Sequence, residues 1–149
     1  MYKHILISSD GSEVGQRGVD HGLSLAKALG ARVTIITVSE RFPLYPDGLT
    51  GAYAMSASVM TEYAAGQTES ANAILSAAKQ AADRLGVAAE TAHIRDAQPA
   101  DAIVDAAKSH NCSLIAMASH GRRGLGRLVL GSVTSEVLAR SPVPVLVVR

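Results

Sequence analysis

The sequence predicts an α/β protein, an open five-stranded parallel sheet with helices on both faces. Three observations carry that expectation. Short apolar runs alternate with helical patterns in the order β-α-β-α-β-α-β-α-β along 149 residues, the order that yields right-handed crossovers and a parallel sheet. The runs are rich in β-branched residues and suit strands buried on both faces. Finally, Asp10, Val38 and a glycine-rich loop follow the first, second and fourth runs. In such a sheet these fall on one edge, outside the carboxyl ends of the strands, where ligands of open α/β folds sit.

The first strand is read at His4 to Ser9, followed by a turn, Asp10-Gly11-Ser12, that delivers an N-cap at Ser12 or Asp10. A helix is expected over Glu13–Leu29, with Val14, Gly18, His21/Gly22, Leu25 and Leu29 as its stripe and Gly30 as its C-cap. Arg32–Val38 is the second strand. The stretch from Ser39 to about Tyr53, with Pro43, Pro46, Gly48 and Gly51, reads as a long functional loop. A second helix spans roughly Ala57 to Leu85, with a break expected near Gly66 to Ser70. Val87–Ile94 is the third strand, polar at Glu90 and Thr91 and hence near a sheet edge. Pro99 opens a short helix to His110, and Ser113–Ala118 is the fourth strand. A helix over Ser132–Arg140 ends at Ser141-Pro142, and Val143–Val148 is the fifth strand with Pro144 inside it. A proline within a strand marks an edge, and an exposed edge of valine and leucine invites pairing, so this strand is the expected homodimer contact unless the chain covers it itself.

Composition bounds the function. Hydrophobic residues make up 48% and charged residues 18%, and the chain is most simply one domain, residues 1–149. Net charge is +1, which gives no pull toward nucleic acid or membrane. One cysteine, Cys112, excludes a disulfide framework and a cysteine-based zinc site, and its place before a buried strand makes it inert. No secretory leader or membrane span is read from the sequence, and a cytoplasmic location is expected. His4, His21, His93 and His110 are scattered without metal-ligand spacing.

The stretch from Met117 to Thr134 carries the chemistry. A strand, a glycine-and-arginine loop and a helix start follow one another, and Lys108, Arg122, Arg123 and Arg127 lie in a window free of acidic residues. Glycines let backbone N–H groups approach an anion, and a helix start adds unpaired donors and the positive end of its dipole. The Walker pattern fails because Arg127-Leu128 stands where Lys-Ser/Thr is required, and the dinucleotide fingerprint fails at Val129. What remains is Ala118-Ser-His-Gly121, nine residues, then Gly131-Ser132.

That spacing, with I-L-I-S-S-D-G-S at the start and S-P-V-P-V-L-V-V-R at the close, resembles the universal stress protein family over the whole chain. The resemblance implies a Rossmann-like sheet of the adenine nucleotide alpha hydrolase type, strand order 3-2-1-4-5, and an ATP-binding homodimer with a sensing or regulatory role. By the same resemblance Gly121, Gly131 and Ser132, with the backbone of Val133 and Thr134, hold the phosphates. Asp10 and the backbone around Val38 hold the adenine end, and Met117 and Ala118 lie near the ribose. Ser9, His120 and Arg122 complete the candidate set. Magnesium or manganese would arrive with the nucleotide, held largely by phosphates and water. Ala118 departs from the motif, which has glycine there. Alanine fits if the position supplies only backbone and obstructs if positive φ or closer approach is needed.

Asp10 can cap the first helix, touch a ligand, or both. His120 has no identifiable carboxylate partner and reads as a loop histidine rather than a base. Ser132 as a nucleophile would need a base and an orienting third group, so a cap and phosphate donor is the better reading. An ATP hydrolase or transferase on the same fold, and a nucleotide-free dimerisation module, are the rival functions.

Overall fold

The computed structural model describes residues 1–42, 57–121 and 129–149. Most of the long loop after the second strand, residues 43–56, and the arginine loop 122–128 lie outside these. In chain order the elements are β1 (His4–Ser8), α1 (Glu13–Leu29), β2 (Arg32–Val38), α2 (Ala57–Leu85), β3 (Ala89–Ile94), α3 (Pro99–Ser109), β4 (Leu114–Ala118), α4 (Ser132–Arg140) and β5 (Val145–Val148). The five strands form one parallel sheet in the order β3-β2-β1-β4-β5, as expected.

Alternating side chains divide the core between the two sheet faces. Ile5, Ile7, Val33 and Ile35 meet Val19 and Leu23 of α1 and Leu75, Ala78 and Ala82 of α2. Leu6, Ile36, Ile115 and Met117 meet Ile103 of α3 and Val137 of α4 on the opposite face. Each fully buried aliphatic side chain contributes about 1.5–3 kcal/mol relative to exposure, and the central β1 supplies three of them, Ile5, Leu6 and Ile7.

Several sequence expectations move. The buried stripe of α1 is Gly15, Gly18, Val19, Gly22, Leu23 and Ala26, turned about one residue from the one read in sequence, and Leu29 is 47% exposed. The reason is steric: a Cβ at Gly18 would lie 3.1 Å from Ala118 N, and one at Gly22 would lie 2.6 Å from Ile7 Cδ1. The helix backbone therefore rides close to the sheet on its glycines. Ser12 is the N-cap, its Oγ accepting from Gly15 N–H. Helix α2 runs unbroken through Gly66 to Ser70, though its buried residues begin only at Ala71. Val87 belongs to the turn that ends α2, donating to Ala82 O, so β3 starts at Ala89. Pro144 precedes β5 rather than lying inside it, and its carbonyl accepts from Ile115 N–H. Both edge strands, β3 and β5, are where their polar residues or proline point. No helix among the described residues is long and apolar enough to cross a membrane. Cys112 is buried, which pushes its thiol up to about 11.

His4 sits under the amino edge of the sheet, buried, with Nε2 2.8 Å from Thr34 Oγ1. Burial, and next the Arg32 guanidinium, lower its pKa below 6.5. The fold thus holds neutral a ring that the unfolded chain protonates near pH 6.5, and stability from this source is present above that pH and lost as pH falls below it. The urea midpoint is expected to drop between pH 7.5 and pH 5. His4→Gln, which cannot titrate, should make that slope shallower while leaving the share that His93, also lowered by burial, contributes. An equal slope in the variant would assign the pH dependence elsewhere.

Candidate functional site

At the carboxyl edge the chain leaves β1 through Ser9, Asp10 and Gly11. Gly11 has φ 77°, a conformation that side chains disfavour, and it turns the chain into the start of α1. Asp10 Oδ1 accepts from Ser12 N–H at 3.0 Å and Ser12 Oγ–H at 2.6 Å. A Cβ at Gly15 would lie 2.5 Å from Asp10 Oδ1, and one at Gly121 would lie 2.5 Å from Oδ2. The carboxylate is thus seated between two glycines from distant parts of the chain, and neither position tolerates a side chain without moving it. Asp10 both props the Ser12 cap and meets the β4 loop.

Val38 ends β2 one step beyond the reach of β1. Ser9 N–H donates to Ile36 O, whereas Ser39 N–H donates to Ile94 O on the other side. By the alternation of a parallel ladder, the N–H and C=O of Val38 point past the end of β1. They form an adjacent donor and acceptor at a residue that lines the cavity of the site. Beside it, Ser39 Oγ lies 2.6 Å from His93 Nε2. Burial, and next Arg95, lower the pKa of His93.

On the far side of β1, helix α4 begins after Gly131, its N-cap, with no side-chain cap hydrogen bond. The first N–H groups of any helix lack intrahelical partners, and here Ser132, Val133 and Thr134 carry them. The start of α4 is anchored to β4 by Gly131 N–H to Ser119 O at 2.8 Å and Thr134 Oγ1–H to Ala118 O at 3.0 Å. His120 Nδ1 lies 2.9 Å from Ser119 Oγ. Ala118 is the last residue of β4, and positive φ among described non-glycine residues is confined to Asp96 and Asn111. The backbone at position 118 is therefore one that alanine adopts without strain.

These parts surround one cavity of about 550 Å³, within the range of small-molecule sites. Ser9, Asp10, Val38, Met117, Ala118, His120, Gly121, Gly131, Ser132, Val133 and Thr134 all line it. Arg122, and with it Arg123 and Arg127, lie outside the described residues. The described lining carries the carboxylates Asp10 and Glu40 and no lysine or arginine, so anion attraction there rests on backbone donors. The sequence reading missed the α2 wall, made by Tyr63, Gln67, Ser70, Ala71 and Ile74, and the contributions of Gly15 and Ser39. Gln67 Nε2–H donates to Tyr63 Oη at 2.9 Å, and Phe42 meets the Tyr63 ring edge-on at 4.9 Å. A signal existed: Tyr63, Gln67 and Ser70 repeat at helical spacing on the side that carries Ala71 and Ile74, polar where the rest of the stripe is apolar.

A parallel sheet that reverses its winding between β1 and β4, with the cavity at that switch point, defines an open doubly wound α/β protein. The sequence matches the universal stress protein family over residues 1–149. It is 33% identical to the universal stress protein YxiE of Bacillus subtilis, over all of both chains. It is 32% identical to a universal stress protein of Methanocaldococcus jannaschii, covering all of this chain and 83% of that one. Among solved structures, the hypothetical protein MJ0577 superposes with a TM-score of 0.78 at 27% identity, covering 99% of this chain and 96% of that one. A universal stress protein solved in complex with cAMP gives 0.67 at 26% identity, with 99% and 97% covered. The chain belongs to the universal stress protein family.

Proposed function

We propose that this chain binds an adenine nucleotide, ATP foremost, in the cavity between Val38 and α4, as a cytoplasmic homodimer with a regulatory role and at most slow hydrolysis. One observation carries the reading: the two ends of a single cavity offer complementary chemistry. Val38 presents a neighbouring N–H and C=O, the pattern that pairs with a ring nitrogen and its adjacent amino group. At the other end the uncapped start of α4 offers donors to phosphate, with Gly121, Gly131 and the Ser132 hydroxyl beside it. Asp10, Met117 and Ala118 lie between them. A relative in the same family is solved with cAMP, which supports an adenine ring in such a cavity. Magnesium or manganese would be held mainly by the phosphates.

Titrating the protein calorimetrically with ATP and magnesium, then assaying phosphate release, tests this. Saturable binding with negligible turnover is expected. No heat at millimolar ATP would refute the reading, and turnover of many molecules per minute, lost in Asp10→Ala, would make the chain an enzyme instead.

The dimer is proposed to form along β5. The carbonyls of Pro144 and Val148 both face β4, so the N–H and C=O of Val145 and Val147 face outward from the sheet edge. Val147→Pro removes one outward N–H and none that bonds to β4. It is expected to shift sedimentation from dimer to monomer; a dimer of unchanged strength would place the interface elsewhere.

A further inference from the structure

Ser39 stands at the Val38 end of the cavity, held from three directions. Its N–H donates to Ile94 O at 2.8 Å and its C=O accepts from Ala97 N–H at 3.2 Å, a return made by Asp96 at φ 52°. Its hydroxyl lies 2.6 Å from His93 Nε2. The residue is 9% exposed and what remains open lines the cavity.

The other nitrogen of that histidine decides which way the hydroxyl points. His93 Nδ1 is buried and has no hydrogen-bond partner among the described residues. Burial and Arg95 keep the ring neutral at neutral pH, so it carries a single proton. Placed on Nδ1, that proton would be an orphaned buried donor, the costlier kind of unmade hydrogen bond. Placed on Nε2, it is donated to Ser39 Oγ and only a lone pair goes unmet. The Ser39 O–H is then not spent on His93, and the cavity is where it finds an acceptor.

We infer that Ser39 is a specificity-determining donor in the nucleotide cavity, oriented by His93, whose hydroxyl hydrogen-bonds an unprotonated ring nitrogen of the bound purine. The inference rests on the nucleotide reading above and adds to it a side-chain contact to the base. Val38 addresses the edge that carries the amino group, and Ser39 addresses a second ring nitrogen, N3 or N7. His93 is a positioning residue and does not touch the ligand.

The test exchanges single ligand atoms. Calorimetric affinities are measured for ATP, 3-deaza-ATP and 7-deaza-ATP on the unaltered protein and on Ser39→Ala. One deaza analogue is expected to bind about three- to tenfold more weakly than ATP to the unaltered protein, the worth of one hydrogen bond. Ser39→Ala should bind ATP more weakly by a similar factor and no longer distinguish ATP from that analogue. His93→Phe should narrow the discrimination, and His93→Gln, which keeps a donor, should restore it. Ser39→Cys, similar in shape but a weak donor, supplies a second reading if the alanine variant melts early. If both analogues bind as tightly as ATP, or if Ser39→Ala discriminates as before, the Ser39 assignment is overturned while the nucleotide site stands. If ATP itself does not bind the unaltered protein, the nucleotide reading falls and this assignment with it.

Discussion

Gly131→Val is expected to weaken ATP binding by about a hundredfold or more while leaving the sedimentation of the protein unchanged. A Cβ at this position would lie 3.1 Å from His120 Cα and 3.3 Å from Ser119 O, tighter than ordinary contact and against backbone, which cannot rotate away. The Cβ alone forces the start of α4 and the β4 loop apart by a few tenths of an ångström, and the two further methyl carbons of valine add to that crowding, straining the 2.8 Å bond from Gly131 N–H to Ser119 O. The N–H groups of Ser132 and Val133, without intrahelical partners at the start of α4, then move away from where they face the cavity. Losing two charge-assisted hydrogen bonds of about 1.5–3 kcal/mol each accounts for the size of the effect. Ser119 N–H also donates to Val148 O of β5 at 2.7 Å, but the outward edge of that strand, at Val145 and Val147, is not touched, so sedimentation should not change. Unaltered affinity in calorimetry would show that the phosphates bind elsewhere.

The second large effect concerns the seam between α1 and the sheet. Ile7→Ala empties a fully buried position in the central strand and should cost about 2–5 kcal/mol, read from the urea midpoint at constant slope. Gly22→Ala alone should also destabilise, because its Cβ would fall 2.6 Å from Ile7 Cδ1 and 2.9 Å from Ile7 Cγ1. Both of those atoms are absent from Ile7→Ala. In that background only Ala116 Cβ, at 3.3 Å, still crowds the new methyl, a contact that a shift of a few tenths of an ångström relieves. The change also gains about 1 kcal/mol of helix propensity, so it should stabilise. The sign reversal is the diagnostic result, with a coupling of about 0.5–3 kcal/mol. Strictly additive effects would mean that α1 shifts away from the sheet rather than pressing on Ile7.

Much of this architecture was legible in the residues. Runs such as Ile5–Ile7 and Arg32–Val38 carry their strand character in β-branched and aliphatic side chains, and Ser12, Gly30 and Pro99 punctuate the helices. What the sequence hides is contact between remote segments. Periodicity placed Gly18 and Gly22 on the buried face of α1, but it could not show that Gly15, Val19, Leu23 and Ala26 complete that face in place of Val14, Leu25 and Leu29, because the rotation of the helix depends on how near the sheet comes. The strand order followed from the family resemblance, not from any local signal. Ala118 left two outcomes open, since a residue letter does not state its φ; as the last residue of β4 it needs no glycine conformation. The α2 wall was missed because Tyr63, Gln67 and Ser70 become lining only when the helix extends past its packed half over the strand ends. Asp10 was assigned as cap or ligand contact, and its seat against Gly121 requires two segments about a hundred residues apart in sequence.

That seat has a bearing on how the molecule assembles. Asp10 and Gly121 meet only after β1 has paired with β4, whose register joins Ile5 to Leu114, so a long length of chain must be gathered first and its loop-closure entropy overcome. No partly folded species that lacks this pairing can have the cavity. A molecule captured there would discriminate between finished and unfinished chains, and its binding free energy would add to the stability of the entire sheet rather than of any local element.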